Sequence, residues 1–311
     1  MPDVRPHRQF NMPYPATHLT LYFMSPISDV GATLVGLIHD LHAFVPEFRL
    51  GHASHKVSGG RLSTDIPGVL QRTSELLVGR SATDPEAQVD IWLKSGKNLT
   101  FLADHAFRMY AANRTVVQRI PLPNYVRVYL PPPESLSSER LRSVMSWFLR
   151  AVNELNVCYA YLNPALMYDE LNVGRENASA LAALGDNPVL DLFEDYNHHR
   201  FFLTHVKGPM WLNVLGPQHI AAHPYLSSPT ANPFFSSTLQ TGGRLLLQLT
   251  PRMGLEPTPE RLRAYRALAD WLRPLYLDSF NPVMFEFPYR WPVNQAQVWL
   301  RRFLVSGDGA A

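Results

Sequence analysis

The chain has 311 residues, 46% hydrophobic and only 17% charged, with 28 basic and 26 acidic side chains for a net charge of +2. A chain of this length buries a large core without staples, and its single cysteine, Cys158, excludes an internal disulfide. With no block of five like charges, the near-neutral balance argues against a polybasic nucleic-acid tail and against an acidic DNA mimic.

Residues 1–17 read as a proline-punctuated arm without a continuous apolar stretch, so no export signal and a cytoplasmic location are expected. No run of 18 apolar residues occurs, so no membrane span is expected. His18 to Met24 alternates with period two and predicts a strand with Leu19, Leu21 and Phe23 on one face. After Pro26, Ser28 or Asp29 can cap a helix whose apolar stripe is Val30, Leu34, Leu37, Ile38 and Leu41. Arg49 to Val57 is a strand candidate before the Gly59-Gly60 turn. Pro67 to Leu77 reads as a helix and Val89 to Leu93 as an alternating strand.

The opening pattern then returns. Val126 to Leu130 alternates and stops at three prolines. Ser137 or Ser138 can cap a helix with Glu139 in its first turn and a stripe of Leu141, Val144, Met145, Phe148, Val152 and Leu155. Val157 to Leu162 reads as a buried strand stopped by Asn163-Pro164, with Cys158 as a small core hydrophobe. Strand, proline, capped helix, strand: the repeated order predicts a duplicated α+β unit. Residues 172–200 form a looser region. Gly242-Gly243 is a turn before the strand Leu245–Leu249. Thr258-Pro259-Glu260 opens a helix with Leu262, Tyr265, Leu268, Ala269 and Leu272 inward. The short strands, some of them amphipathic, predict an α+β class. Its expected form is two side-by-side βαβ-based halves, 18–120 and 121–304, with mostly antiparallel sheets, helices packed on one side and a tail at 305–311.

Candidate chemistry is sparse. Asp191, Asp195, His198 and His199 combine carboxylates with imidazoles, a borderline ligand set for zinc or iron, but match no fixed ligand spacing. A polar surface or loop is the plainer reading, with a metal-dependent hydrolase as the alternative. His219 and His223 stand four apart without an adjacent third ligand. The pairs His39 and His42, and His52 and His55, are tied to no nucleophile. Neither Gly-Gly turn stands where a dinucleotide loop must, no Gly-x-Ser-x-Gly elbow occurs, and no cofactor is expected. The basic–aromatic interleaving from Arg119 to Tyr129 could stack bases, yet a strand end accounts for it as well.

Three blocks follow in fixed order: Gly208-Pro209-Met210-Trp211-Leu212-Asn213-Val214-Leu215-Gly216; then Gly242-Gly243-Arg244-Leu245-Leu246 through Pro251-Arg252-Met253-Gly254; then Tyr265-Arg266-Ala267-Leu268-Ala269. With the strand Tyr159-Ala160-Tyr161, this order resembles the type VI secretion immunity proteins. The resemblance implies a cytosolic, non-enzymatic antidote that binds one-to-one to a restriction-endonuclease-like toxin domain of the PD-(D/E)xK type. Such an antidote blocks the toxin's DNA access or its active site. It carries no catalytic residue across and implies neither direct nucleic-acid nor membrane binding. A structural component of the secretion apparatus is the third reading. Contacts to the toxin are expected first from the mixed-charge stretch Asp191, Glu194, Asp195, His198, His199 and Arg200. The adjacent aromatics Phe234 and Phe235 of a proline-flanked loop are the second choice.

Overall fold

The computed structural model describes residues 14–55, 61–63, 66–80, 83–95, 105–113, 116, 123–167, 187–192, 202–228, 230–240, 242–276 and 301–304. In chain order these form β1 (Tyr14–Phe23), α1 (Ile27–Phe44), β2 (Leu50–His55), β3 (Arg61–Ser63), α2 (Ile66–Ser74, widening into a π-helical turn at Glu75–Arg80), β4 (Gln88–Lys94) and β5 (Ala106–Ala112). The second half adds β6 (Asn124–Leu130), α3 (Ser138–Glu154), β7 (Val157–Met167), β8 (Asp191–Leu192), β9 (Leu212–Leu215), α4 (Pro217–Ala222), β10 (Phe235–Gln240), β11 (Arg244–Leu249) and α5 (Pro259–Leu272).

One eleven-stranded sheet runs β10-β11-β9-β7-β1-β6-β5-β4-β2-β3, with β8 beside β7. Every pairing except β7 with β8 is antiparallel, so the α+β class with mostly antiparallel strands holds. Both strand–helix–strand units are present as β1-α1-β2 and β6-α3-β7. They interleave, because β1 lies between β6 and β7. The boundary expected near residue 120 falls between β5 and β6, which pair directly.

The two faces of the sheet are built differently. In β1, Leu19, Leu21 and Phe23 share a face with Val126, Val128 and Leu130 of β6 and with Ala160 and Leu162 of β7, all buried. Helices α1, α2 and α3 cover this face. On α2, Val69 sits where a Cβ on Gly51 would come within 2.8 Å of it. The α3 residue Trp147 donates its indole N–H to the Leu37 carbonyl of α1 at 2.8 Å, tying the two helices together. Cys158 is buried here as expected; its thiol donates to the Tyr22 carbonyl at 3.1 Å, and burial pushes its pKa up to about 12. On the opposite face, α5 covers the sheet at its β10–β7 end.

Local signals explain most boundaries. Ser137 caps α3 by accepting from Arg140 N–H, and Thr258 caps α5 by accepting from Arg261 N–H. Two boundaries differ from the sequence reading. Neither Ser28 nor Asp29 caps α1; Pro26 is its N-cap, and the Ser28 N–H is satisfied from 85 residues away by Asn113 Oδ1 at 3.0 Å. Nor does Asn163-Pro164 stop β7, which continues to Met167. On that side of β7 the pairing passes from β9, ending at Leu162 opposite Leu212, to β8, starting at Ala165 opposite Asp191. Proline is tolerated in this gap in the ladder. The expected arm is shorter as well, since β1 already begins at Tyr14. The Gly59-Gly60 turn and the tail 305–311 lie outside the described residues.

Candidate partner-binding surface

The three sequence blocks turn out to be joints of the scaffold. In the first, Trp211 N–H donates to Asn163 Oδ1 at 2.8 Å and its indole N–H to the Pro251 carbonyl at 2.8 Å. Asn213 is buried and donates to the Met210 carbonyl. Gly216 closes the block against β7; a Cβ there would lie 2.4 Å from the Cys158 carbonyl oxygen, closer than real contacts allow. In the second block, Gly242 (φ +83°) and Gly243 (φ +68°) make the left-handed turn between β10 and β11. Arg244 then reaches inward and donates its Nε–H to the Val157 carbonyl at 3.1 Å. The loop after β11 is pinned by the guanidinium of Arg261, which donates to the Glu256 and Arg252 carbonyls, and by Glu134, which accepts from Leu255 N–H at 2.6 Å. In the third block Tyr265 is buried and donates to Asn163 Oδ1 at 2.6 Å.

Asn163 joins the first and third blocks. Its oxygen accepts from Trp211 and Tyr265, while its amide donates to the carbonyls of Pro164 (2.9 Å) and Val189 (3.0 Å). All four hydrogen bonds of a buried amide are thus made, and they gather β7, α5, the 187–192 segment and the 211 turn at one point. Beside it, Lys207 Nζ donates to Asp191 Oδ2 at 2.7 Å, with both side chains almost fully buried. His18 Nδ1 lies 3.9 Å from the same carboxylate oxygen. The His18 ring stacks on Tyr129 at 4.5 Å, and its Nε2 is 2.8 Å from Thr20 Oγ1. Arg302 donates to the Pro188 and Leu190 carbonyls, and burial lowers its pKa to about 10.

This placement revises the expected contact residues. Asp191 belongs to the core, at 0% exposure, because its carboxylate is needed by Lys207; it cannot meet a partner at the surface. Phe235 is likewise buried, 5.7 Å from Trp271, while Phe234 is half-buried against the core. Adjacent strand residues point to opposite faces, so a Phe-Phe pair cannot offer two anchors to one side. Glu194, Asp195, His198, His199 and Arg200 lie outside the described residues. The described residues on either side of them lie on the polar face of the sheet. Asp191 stands on one side, and Phe202, packed against Tyr22 and Tyr159 at 5.1 and 5.2 Å, on the other. His219 is buried, its Nε2 3.1 Å from the His205 carbonyl, and burial lowers its pKa to about 4. It is a neutral core imidazole and does not form a ligand pair with His223. Among the described residues no group of three or more His, Cys, Asp or Glu is placed to hold a metal ion.

What remains for recognition is outer surface. Along α5 the exposed positions include Arg263, Arg266 and Asp270, and exposed Arg273 follows at its C-cap. Arg273 is paired with Asp270 at 2.5 Å, whereas Arg263 and Arg266 form no ion pair among the described residues. One turn apart, they present two uncommitted guanidinium groups on a rigid element. On α3, Arg140 is bound to Glu47 and Arg150 to Asp40 and Glu154, while the exposed Arg142, like Arg263 and Arg266, forms no ion pair among the described residues. Next to the C-terminal end of α5, Tyr225 is 39% exposed, with its hydroxyl on the Trp271 carbonyl and its ring 5.5 Å from the indole. Arginines and aromatics are the residue types that binding surfaces concentrate. The sequence reading missed this surface. Its signal was only partial in the charge pattern of α5: Arg263 has no acidic residue four positions later, while Asp270, four after Arg266, is taken by Arg273.

The sequence matches the family profile TsiV, type VI immunity for VRR-NUC, over residues 81–303. A solved structure of a Pseudomonas aeruginosa T6SS protein is similar in fold, with a TM-score of 0.74 at 16% identity, covering 95% of this chain and 83% of that one. No curated protein matches the sequence.

Proposed function

Since the chain belongs to the family of type VI immunity proteins for VRR-NUC, we propose that it neutralises the VRR-NUC domain of a cognate effector by binding it one-to-one in the cytoplasm. Its own side chains break no bond in this reading. The family match carries it, spanning β4 through α5 and on to Phe303. No helix of the described residues is long and apolar enough to cross a membrane. The metal-dependent hydrolase reading loses its first ligand, because Asp191 is committed to Lys207 inside the core.

Protection must outlast the arrival of toxin. That demands slow dissociation and a complex near nanomolar, about −12 kcal/mol. Such complexes usually bury about 1,600 Å² and concentrate their energy in a few anchors. A PD-(D/E)xK nuclease site presents acidic metal ligands. Arg263 and Arg266 are suited to them by charge, by exposure and by forming no ion pair among the described residues. The expected contacts Glu194, Asp195, His198, His199 and Arg200 are proposed as the second part of the same interface, meeting the basic DNA track of the nuclease.

Co-expression with the effector's nuclease domain tests the reading. Growth should be restored and the two chains should co-purify. The double reversal R263E/R266E should weaken binding by about a hundredfold with an unchanged melting temperature. Toxicity that persists with no detectable complex rejects the function. An intact complex in the double variant rejects only the assignment of this face.

A further inference from the structure

The two ends of the sheet are unequal. At one end β3 is three residues long, a short edge of the kind that discourages further pairing. At the other end β10 is six residues long, Phe-Ser-Ser-Thr-Leu-Gln, without a charge or a proline. Its outward register follows from the bonds at its two ends: Gly243 N–H donates to the Gln240 carbonyl, and Thr250 N–H to the Phe234 carbonyl. Residues of that parity turn their backbone toward β11, so Phe235, Ser237 and Leu239 turn theirs outward. Among the described residues no strand pairs with that edge. The same three side chains share the face on which Trp271 lies, and Leu239 is 48% exposed, one of the most exposed large apolar side chains of the described residues.

We propose that β10 docks a second copy of this chain, two β10 strands pairing antiparallel about a twofold axis through Ser237. The outward residues read large, small, large. An antiparallel self-pairing centred on Ser237 therefore puts Leu239 of each copy opposite Phe235 of the other, as an isologous contact requires. The exposed leucine then lies across the strand pair from its mate's Phe235, whose ring stays buried against Trp271, so the backbone ladder carries most of the contact. With no charge along the six residues, self-pairing meets no like-charge repulsion, and the axial residue is small, its hydroxyl accepting from the Thr230 N–H of its own chain at 2.9 Å. The outward N–H and C=O groups, which no strand of the described residues pairs, gain backbone partners. A strand pair of this length with a small apolar rim falls below the standard interface size, which gives a reversible dimer in the micromolar range rather than a permanent one.

Light scattering coupled to size-exclusion chromatography on the full chain, from roughly 1 to 100 μM, reads this directly. The average mass should climb from one chain toward two. Leu239→Lys puts a cation on an exposed edge position and should raise the dissociation constant about tenfold or more, with folding unchanged by circular dichroism. Ser237→Cys should be joined to a dimer by a short bismaleimide, since paired Cα atoms at such a position lie about 5.5 Å apart. Cys158 is buried and stays silent. An exposed control on α3, Asn153→Cys, should not cross-link. A monomer at every concentration, or a dimer indifferent to Leu239→Lys, overturns the proposal. So does loss of effector binding in Leu239→Lys from a chain that never dimerises, because the edge would then belong to the effector. Toxin protection by Leu239→Lys should equal that of the unaltered chain, which separates this test from that of Arg263 and Arg266.

Discussion

The two faces of the central sheet are held by different physics. Toward α1, α2 and α3 the packing is mainly apolar: Leu19, Leu21 and Phe23 of β1 belong to one core cluster with Val30, Leu34, Ile38, Val144 and Phe148. The opposite face of the same strand carries His18, Thr20 and Tyr22, equally buried but among Tyr129, Arg127, Tyr161 and Asn163. Apolar burial is nearly indifferent to which hydrophobe fills a site, provided volume is kept. A polar layer is selective, because each donor must find its acceptor or be left stranded. The helical face therefore supplies the bulk of the stability. The polar face decides where the segments around 190, 207 and 302 sit, and with them the ends of the stretch proposed to touch the effector.

The largest expected effect comes from breaking the polar face at its charge pair. Asp191→Ala leaves the Lys207 ammonium, 6% exposed, without its nearest carboxylate. Stranding a buried charge costs about 3–5 kcal/mol, which urea denaturation would show as a lowered midpoint. Leu21→Met at an equally buried position on the apolar face should cost less than about 1.5 kcal/mol. Comparable losses for the two substitutions would erase the distinction between the faces. Adding Lys207→Met to Asp191→Leu should recover much of the loss, since an apolar pair of similar volume replaces a desolvated ion pair at little net cost.

Next comes Asn163→Leu, close to isosteric but unable to hydrogen-bond. It strands the Trp211 N–H, the Tyr265 hydroxyl and the Val189 carbonyl together. About 3 kcal/mol is expected, from partly relaxed groups at roughly 1–3 kcal/mol each. Burial already holds the Tyr265 phenol well above its usual ionisation range, and removal of its acceptor would not make it ionise near neutral pH. A loss below about 1 kcal/mol would mean that water replaces the amide and that the joint is less dry than its burial suggests.

Much of this architecture was legible in the sequence, for identifiable reasons. The period-two runs of β1 and β6 and the apolar stripes of α1, α3 and α5 are local patterns, and each element stands where its pattern lies. Long-range events were not legible. Asn113 closes the start of α1 across 85 residues, and Asn163 fills the gap that lets β7 run through a proline. The insertion of β1 between β6 and β7 is a pairing choice that no single segment encodes. Asp191 looked like a surface acid because composition shows charges and not their partners; Lys207 lies 16 residues away, with no spacing that announces the pair. The family blocks could be read as scaffold from their lack of chemistry, and Trp211, Gly216 and Arg244 serve as joints accordingly.

The smallest of these effects depends on pH and also belongs to the polar face. His219 packs 5.9 Å from the Tyr159 ring, its Nε2 on the His205 carbonyl, and its Nδ1 has no hydrogen-bond partner among the described residues. Burial, the dominant cause, depresses its pKa from 6.5 to about 4. A depressed base favours the unfolded chain once protons become available, since the unfolded imidazole binds a proton near 6.5 and the folded one does not until about 4. Stability from this site is therefore intact above pH 6.5 and falls as the pH drops toward 4. At pH 5 the loss amounts to about 2 kcal/mol at most, by the linkage of one proton to folding. His219→Gln can keep a donor to the His205 carbonyl but cannot titrate. Its urea midpoint should be lower than that of the unaltered chain at pH 8, and the difference should shrink as the pH is taken to 5. A gap that stays constant over that range would show that the buried imidazole accepts its proton without leaving the fold, and that water reaches this part of the polar face.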